Sequence, residues 1–221
     1  MGRLELIVGS MFAEKTSELL SRIERRIHAD ARWVLFKHSS DTRFDERFGA
    51  DYVRAHNGRQ LPAVRVSSSK ELRELAGKEA YDLIGIDEVW MFDPTIIDYC
   101  KEVISNRENS LTIVASTLVT SFRGEPIPFG MQESGPHVGE LMPYASDISF
   151  KYGVCKYRNE SGKICAKNSD CTQRLLDGQP APYTDPLFVN GNDEENNRRK
   201  YEARCREHHY VPGRPSKQNQ P

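Results

Sequence analysis

Over the first two-thirds of the chain, hydrophobic positions switch repeatedly between the run of a buried strand and the spacing of a helix. Residues 4–8 (LELIV) form a short apolar run broken only by Glu5, the signature of a strand in a parallel sheet. After the turn-like stretch that follows, Leu19, Leu20, Ile23 and Ile27 fall on one helical face, with Arg22, Arg25 and Arg26 elsewhere. Residues 33–36 predict a second strand. Residues 37–58 are charged and aperiodic and are expected to form a functional loop. A helix is expected around residues 71–75, and a third strand over 83–86 that runs into Asp87-Glu88. Asp93-Pro94 reads as an N-cap followed by proline at the first helical position, opening a helix that presents Ile96, Ile97, Cys100 and Ile104. Residues 111–115 predict a fourth buried strand. This alternation predicts an α/β fold, a mainly parallel sheet with helices on both faces.

Past Ile148 the pattern changes. Four of the five cysteines and an Asn/Asp/Glu/Arg cluster over residues 192–199 fall here, with no long periodic helix and no internal repeat. The expected organisation is an α/β domain over 1–147, a small domain over 148–212 whose thin core needs a staple, and a disordered tail over 213–221. The 221 residues carry 31 Lys+Arg against 32 Asp+Glu, a formal charge of -1, which excludes general attraction to nucleic acid or anionic lipid as the main task. No apolar run approaches the ~20 residues that span a bilayer. The N-terminus has no cleavable export pattern, so a cytoplasmic protein with metal-bound or free thiols is expected rather than a disulfide framework.

Two segments carry chemistry. Gly9-Ser10-Met11-Phe12-Ala13-Glu14-Lys15-Thr16 matches the phosphate-loop pattern G-x4-G-K-[ST] except that Glu14 replaces the second glycine. In such a loop backbone N–H groups wrap the phosphates, the lysine neutralises the transferred group and the Ser/Thr hydroxyl ligates magnesium. Glu14 opposes this twice, with a carboxylate near bound phosphate and a Cβ where close backbone approach favours glycine. The rival reading is an ordinary glycine turn before a helix. The strand ending in Asp87-Glu88 favours phosphate chemistry, because it sets carboxylates at the sheet edge where α/β ligands bind. There Asp87 is suited to magnesium and Glu88 to a general base.

With these in place, Met11-Phe12, Asp41-Thr42-Arg43, Ile86-Asp87-Glu88, Phe122-Arg123-Gly124-Glu125-Pro126, Thr172-Gln173-Arg174 and Tyr201-Glu202-Ala203-Arg204-Cys205 occur in one order. Together they resemble the type II thymidine kinases, the zinc-containing cellular and bacterial family, from Leu4 to about Val211. The resemblance implies a phosphate-loop NTPase-like domain with a zinc-bearing lasso domain, and transfer of the ATP γ-phosphoryl group to the 5′-hydroxyl of thymidine with magnesium. It also implies a homotetramer and feedback inhibition by thymidine triphosphate, with deoxyuridine as a further acceptor. By the resemblance Glu88 is the base, Lys15 and Arg43 assist, and Gly9 to Thr16, Asp87 and Arg174 form the ATP site. Thymidine falls to Met11, Asp41, Arg43, Glu88, Met91, Leu118, Phe122, Phe129, Thr172, Val189, Gly191 and Tyr201. Magnesium falls to Thr16 and Asp87.

Chain departures from the family are Glu14, Met91 at an often aromatic position, an insertion at Ile127-Pro128, and charged residues lengthening the lid between Gly191 and Tyr201. Cysteine spacing alone leaves zinc and reduced thiols both open: Cys205-x2-His208 is a good pair, but nine residues separate Cys155 from Cys165. With the resemblance, Cys155, Cys165, Cys205 and His208 become the expected ligands of a structural zinc. Cys171 and His209 are the nearest rivals, and Cys100 is assigned to a helix core. Two other functions stand against the kinase: a nucleotide-binding regulator or pseudokinase disabled by Glu14, and a zinc-dependent nucleic-acid module, which the charge balance disfavours. No membrane partner is expected.

Overall fold

A computed structural model describes residues 1–42, 51–108, 110–189 and 198–215. The expected loop residue Arg43, the lid residue Gly191 and most of the tail lie outside the described residues. The chain divides into two compact units, one of Met1–Val8, Glu14–Val119 and Ile127–Lys151, the other of Gly9–Ala13, Thr120–Pro126 and Tyr152–Pro221.

The first unit is built on a six-stranded, mainly parallel sheet. In chain order its elements are β1 (Arg3–Gly9), α1 (Lys15–Ile27), β2 (Trp33–His38), β3 (Tyr52–Arg54), β4 (Gln60–Pro62), β5 (Val64–Val66) and α2 (Ser69–Ala76). They are followed by β6 (Leu83–Asp87), α3 (Ile96–Ser105), β7 (Thr112–Leu118) and β8 (Asp147–Lys151). The sheet order is β5-β2-β6-β7-β1-β8, and β6 lies parallel between β2 and β7, with Leu35 opposite Gly85 and Ile86 opposite Ala115. Every residue of β6 and β7 is buried, as the unbroken apolar runs require of strands covered on both faces. Leu19, Leu20 and Ile23 of α1 complete the core with Ile7, Leu35, Leu83 and Val114.

Polar residues fix the elements that the apolar pattern leaves loose. Arg22, which the helical wheel assigns to the outer face, donates to Glu5 (2.9 Å), Glu18 (3.0 Å), Asp147 (3.1 Å) and Ser149 (2.6 Å), tying α1 to β1 and β8. Helix α3 starts two residues later than Asp93-Pro94 suggests, with Thr95 as its N-cap, and Asp93 instead holds the turn before it: its Oδ1 accepts the Thr95 N–H (3.1 Å) and its carbonyl the Ile96 N–H (3.1 Å), while Oδ2 accepts the N–H of Ser69 (2.8 Å) at the start of α2. The reading of residues 37–58 as one loop needs correction. Tyr52–Arg54 pairs antiparallel with Gln60–Pro62 around a tight turn in which the Gly58 N–H meets the Ala55 carbonyl at 3.0 Å. Both strands are only three residues long, too short to show alternation. The edge strand β5 escapes notice for the same reason.

The second unit is strand-rich and short of core. It holds β9 (Gly153–Val154), β10 (Asn168–Ser169), β11 (Cys171–Leu176), β12 (Gln179–Pro180) and β13 (Arg199–Arg204). β9 pairs with β10, and β11 is the centre of a separate three-stranded sheet between β12 and β13. Its apolar cluster is Phe122, Ala181 and Leu187, with Leu176 and Phe188 against them. Among the described residues no helix is long and apolar enough to cross a membrane.

Gly85 marks the tightest packing of the sheet on α1, since a Cβ there would come within 2.6 Å of Ile23 Cδ1 and 2.8 Å of Leu35 Cδ1. Gly85→Ala is expected to lower stability by about 1–3 kcal/mol through overpacking, read as a lower urea midpoint at unchanged m-value.

Candidate active site and metal cluster

In the first unit the end of β6 organises the polar residues. Asp87 and Glu88 are both buried, at 3% and 5% exposure, so each carboxylate needs partners. Asp87 Oδ1 accepts the hydroxyls of Thr16 (3.2 Å) and Ser116 (2.5 Å), and Ser116 Oγ in turn accepts the Glu88 N–H (3.1 Å). Glu88 leaves the strand in the left-handed region (φ 48°, ψ 59°), a conformation of about 1–3 kcal/mol strain that turns its side chain out of line with the strand. Its Oε2 accepts the Trp90 indole N–H at 2.7 Å, and its Oε1 lies 4.0 Å from Lys15 Nζ, itself buried in the first turn of α1. A lysine, a hydroxyl and two acids thus meet within one unit, the donor set that phosphoryl transfer uses. Met91 and Phe129 lie on two single-turn 3-10 segments that pack against each other, and Leu118 closes β7; all three are buried. Ile127 donates its N–H to Val119 (3.1 Å) and accepts from Val138 (3.2 Å), so the inserted dipeptide continues a pairing. Asp41 is buried, with its N–H on the His38 carbonyl (2.9 Å).

Glu14 opens α1 with φ 55° and ψ 28°, the backbone region that glycine enters without cost, and its exposed carboxylate accepts the Ser17 hydroxyl.

In the second unit the residues of Gly9–Ala13 meet strand residues. Met11 donates its N–H to Thr172 Oγ1 (3.0 Å), and Ser10 Oγ donates to the Ser169 carbonyl (3.2 Å). Arg174, expected at the nucleotide phosphates, is 2% exposed, and its guanidinium is spent inside the unit. It donates to Asp185 (2.7 Å), to the carbonyls of Pro186 and Leu187 (2.7 Å for the latter) and to Tyr201 Oη (3.0 Å), with Cζ 3.8 Å from the centre of the Phe122 ring. Phe122 and Tyr201, expected around thymidine, therefore flank this buried arginine, while Val189 is half-buried at the limit of the described residues. Arg199 binds the other oxygen of Asp185 at 2.7 Å. Burial alone would raise the Asp185 carboxyl, but hydrogen bonds from Arg199 and Arg174 hold it below the ordinary carboxylate range. Sequence reasoning missed Asp185, Ser116 and Ser169. Each is a common residue type with no motif of its own.

Cys155, Cys165, Cys205 and His208 bring one ligand atom each to within 4.8 Å of one another. Sγ of Cys165 lies 4.0 Å from Sγ of Cys205, and His208 Nδ1 lies 3.3 Å from Cys205 Sγ and 3.7 Å from Cys155 Sγ. A tetrahedral zinc with ~2.3 Å bonds to sulfur and ~2.0 Å to nitrogen asks for ligand separations of about 3.5–3.8 Å, so the four fit this ion. Burial works to raise the Cys155 thiol, yet N–H donors of Cys205 and Tyr157, with His208, bring it down to about 7. The rivals stand apart. Burial and Asp170 push Cys171 up to about 12, His209 Nε2–H is given to the Phe122 carbonyl (2.9 Å), and Cys100 is fully buried on α3.

Two outcomes are expected. Cys165→Ser removes the bound metal, measured by elemental analysis of the purified protein, while Cys171→Ser retains one zinc per chain. Asp185→Asn costs about 3–5 kcal/mol at pH 7 by leaving two buried guanidiniums under-partnered. Because the carboxyl is depressed in the folded protein, its contribution is full above the ordinary carboxylate pKa. The gap between variant and parent in urea unfolding should therefore narrow as pH falls below about 4.

Comparison with known proteins agrees with this geometry. The family model described as thymidine kinase matches residues 2–209. The chain is 37% identical over 215 residues to a thymidine kinase of Thermococcus kodakarensis, covering 96% of this chain and 95% of that protein. It is 34% identical over 211 residues to one of Pyrobaculum aerophilum, covering 95% and 99%. A match of this extent, on a chain whose phosphate-loop lysine, acidic strand end and Cys/His cluster each assemble, shows that the chain belongs to the thymidine kinase family.

Proposed function

We propose that the protein transfers the γ-phosphoryl group of ATP to the 5′-hydroxyl of thymidine, with deoxyuridine as a second acceptor. The observation that carries this reading is the meeting of Lys15, Thr16, Asp87 and Glu88 around the end of β6. Glu88 takes the 5′-hydroxyl proton as the oxygen attacks the γ-phosphorus. The bond to the β-phosphate oxygen breaks, and ADP leaves. The Trp90 indole orients one Glu88 oxygen, and Oε1, 4.0 Å from Lys15 Nζ, is the one assigned to the proton. Lys15 neutralises charge on the transferred group. Magnesium, when bound, would offset charge on the phosphates, and the oxygens of Thr16 and Asp87 are the hard donors suited to hold it.

The remaining assignments belong to the same proposal. Met11, Asp41, Met91, Leu118, Phe122, Phe129, Thr172, Val189 and Tyr201 enclose thymidine, and Arg43 and Gly191 join them. Gly9 to Ala13 supply backbone to the phosphates. Arg174 acts by holding Phe122 and the 185–187 segment, since its donors are engaged there. The Cys/His cluster holds structural zinc and takes no part in the reaction. Thymidine triphosphate inhibits at the nucleoside site, the active form is a homotetramer in the cytoplasm, and residues 1–147 and 148–212 act as the catalytic and lasso domains.

The second reading, a nucleotide-binding regulator, draws on Glu14. The Ser17 hydroxyl bond to its carboxylate favours the active enzyme, because it engages the offending group locally. Thymidine phosphorylation with ATP and magnesium separates the two. Turnover is expected in the parent, a loss of about 10²–10⁴-fold in Glu88→Gln, and faster turnover with tighter ATP binding in Glu14→Gly. An inactive parent rescued by Glu14→Gly would instead favour the regulator.

A further inference from the structure

We infer that Gly153 and Ser169 are positioning residues for the triphosphate donor: they seat residues 10–12 of the phosphate loop and thereby set its affinity for ATP. The inference rests on the phosphate-loop reading above and adds the device that holds the loop in shape. Three contacts within the second unit make the seat. A Cβ at Gly153 would lie 3.0 Å from the Phe12 carbonyl oxygen, 3.4 Å from its carbon and 3.3 Å from Ala203 Cβ, so a side chain there would push the Phe12 peptide away by a few tenths of an ångström. Ser169, fully buried, pairs with Gly153 across the β9–β10 ladder and accepts the Ser10 hydroxyl at its carbonyl (3.2 Å). Its own hydroxyl lies 3.5 Å from Ser10 Oγ and donates to the Arg204 carbonyl (2.9 Å), which ties the seat to β13. Thr172 takes the Met11 N–H (3.0 Å).

The seat answers a strain in the loop. Phe12 has φ 62° and is 44% exposed, so backbone preference opposes its conformation and burial contributes little to holding it. A non-glycine residue persists in that region only where its surroundings over-determine it. Here the surroundings are Gly153 below its carbonyl and the bonded neighbours Ser10 and Met11. A phosphate loop binds through backbone N–H groups whose directions must be set in advance, and shifts of a few tenths of an ångström at such a site change affinity severalfold.

The test is ATP binding by isothermal titration calorimetry on the full-length, zinc-loaded protein, with kcat, KM for ATP and metal content measured alongside. Gly153→Ala is expected to raise Kd and KM for ATP about tenfold, with kcat within about twofold, one zinc retained and an unchanged unfolding midpoint. Should Gly153→Ala not fold, Ser10→Ala, Ser169→Ala and the double variant decide. Non-additive losses of ATP affinity support the seat, and additive ones overturn it. ATP affinity in Gly153→Ala within twofold of the parent overturns it, as does a loss of affinity that merely tracks loss of zinc. A parent that binds no ATP refutes the phosphate-loop reading itself, a result distinct from the others.

Discussion

Two carboxylates buried at the end of a central strand constrain the first unit more than any other feature. An acid in such a place is tolerated only with hydrogen-bond or charged partners, and those of Asp87 and Glu88 come from α1, from β7 and from the turn that follows β6. Thr16 and Lys15 require α1 to begin beside the end of β6, and Ser116 requires β7 in parallel register next to it. Trp90 requires the chain to turn sharply at Glu88, which the left-handed backbone there achieves. The apolar core would accept several small shifts of these elements. The polar set accepts one arrangement, and it is the one in which lysine, hydroxyl and acids converge.

The second unit solves a different problem. Among its described residues the large buried aliphatic and aromatic side chains are few, Phe122, Leu175, Leu187 and Val211, and at about 1.5–3 kcal/mol each they do not offset the entropy of ordering five short strands. Zinc bound by a four-ligand set contributes on the order of 10–16 kcal/mol in small peptides, so a metal held by the Cys/His cluster would outweigh those apolar contacts. The buried Arg174–Asp185–Arg199 set contributes less net stability, because desolvation offsets most of its attraction. Its value is specificity: four donors on one guanidinium, aimed at a carboxylate, two carbonyls and a phenol, fit a single path for residues 185–187. That path carries Leu187 against Phe122.

What the sequence made legible follows the same division. Long buried strands and an amphipathic helix announce themselves, so β1, β2, β6, β7 and α1 were readable within a few residues of their ends. The Cys/His ligand set was readable from the resemblance despite the nine residues between Cys155 and Cys165, and the structure gathers those four. Strands of two or three residues were not readable, because alternation cannot appear in so few positions. Nor was the fate of Arg174. A conspicuous arginine beside a nucleotide motif suggests phosphate, whereas its partners Asp185 and Tyr201 lie 11 and 27 positions away and gather only when the strands pair. The role of Arg22 was hidden similarly: a helical wheel places it outside, while three acids from two strands and its own helix half-bury it.

Glu14 shows how a departure from a motif can leave the local fold intact. The backbone at this position is left-handed, the conformation for which glycine is usually chosen, and the glutamate adopts it at about 1–2 kcal/mol. Part of that is returned, since a carboxylate at the first turn of α1 suits the helix dipole by about 0.3–1 kcal/mol and holds the Ser17 hydroxyl. The backbone of Glu14 therefore takes the conformation that a glycine would take there. The same carboxylate that suits the bare helix end would repel a triphosphate bound there as proposed, so the favourable and unfavourable effects would belong to different states of the protein. On the proposed reading the helix-end interaction favours the free protein and the repulsion would raise the ATP complex, so both would act against donor affinity. Because the group is solvent-exposed, salt screens that repulsion, while the backbone strain is indifferent to salt. The electrostatic share of the substitution is thus separable from the conformational share by ionic strength alone.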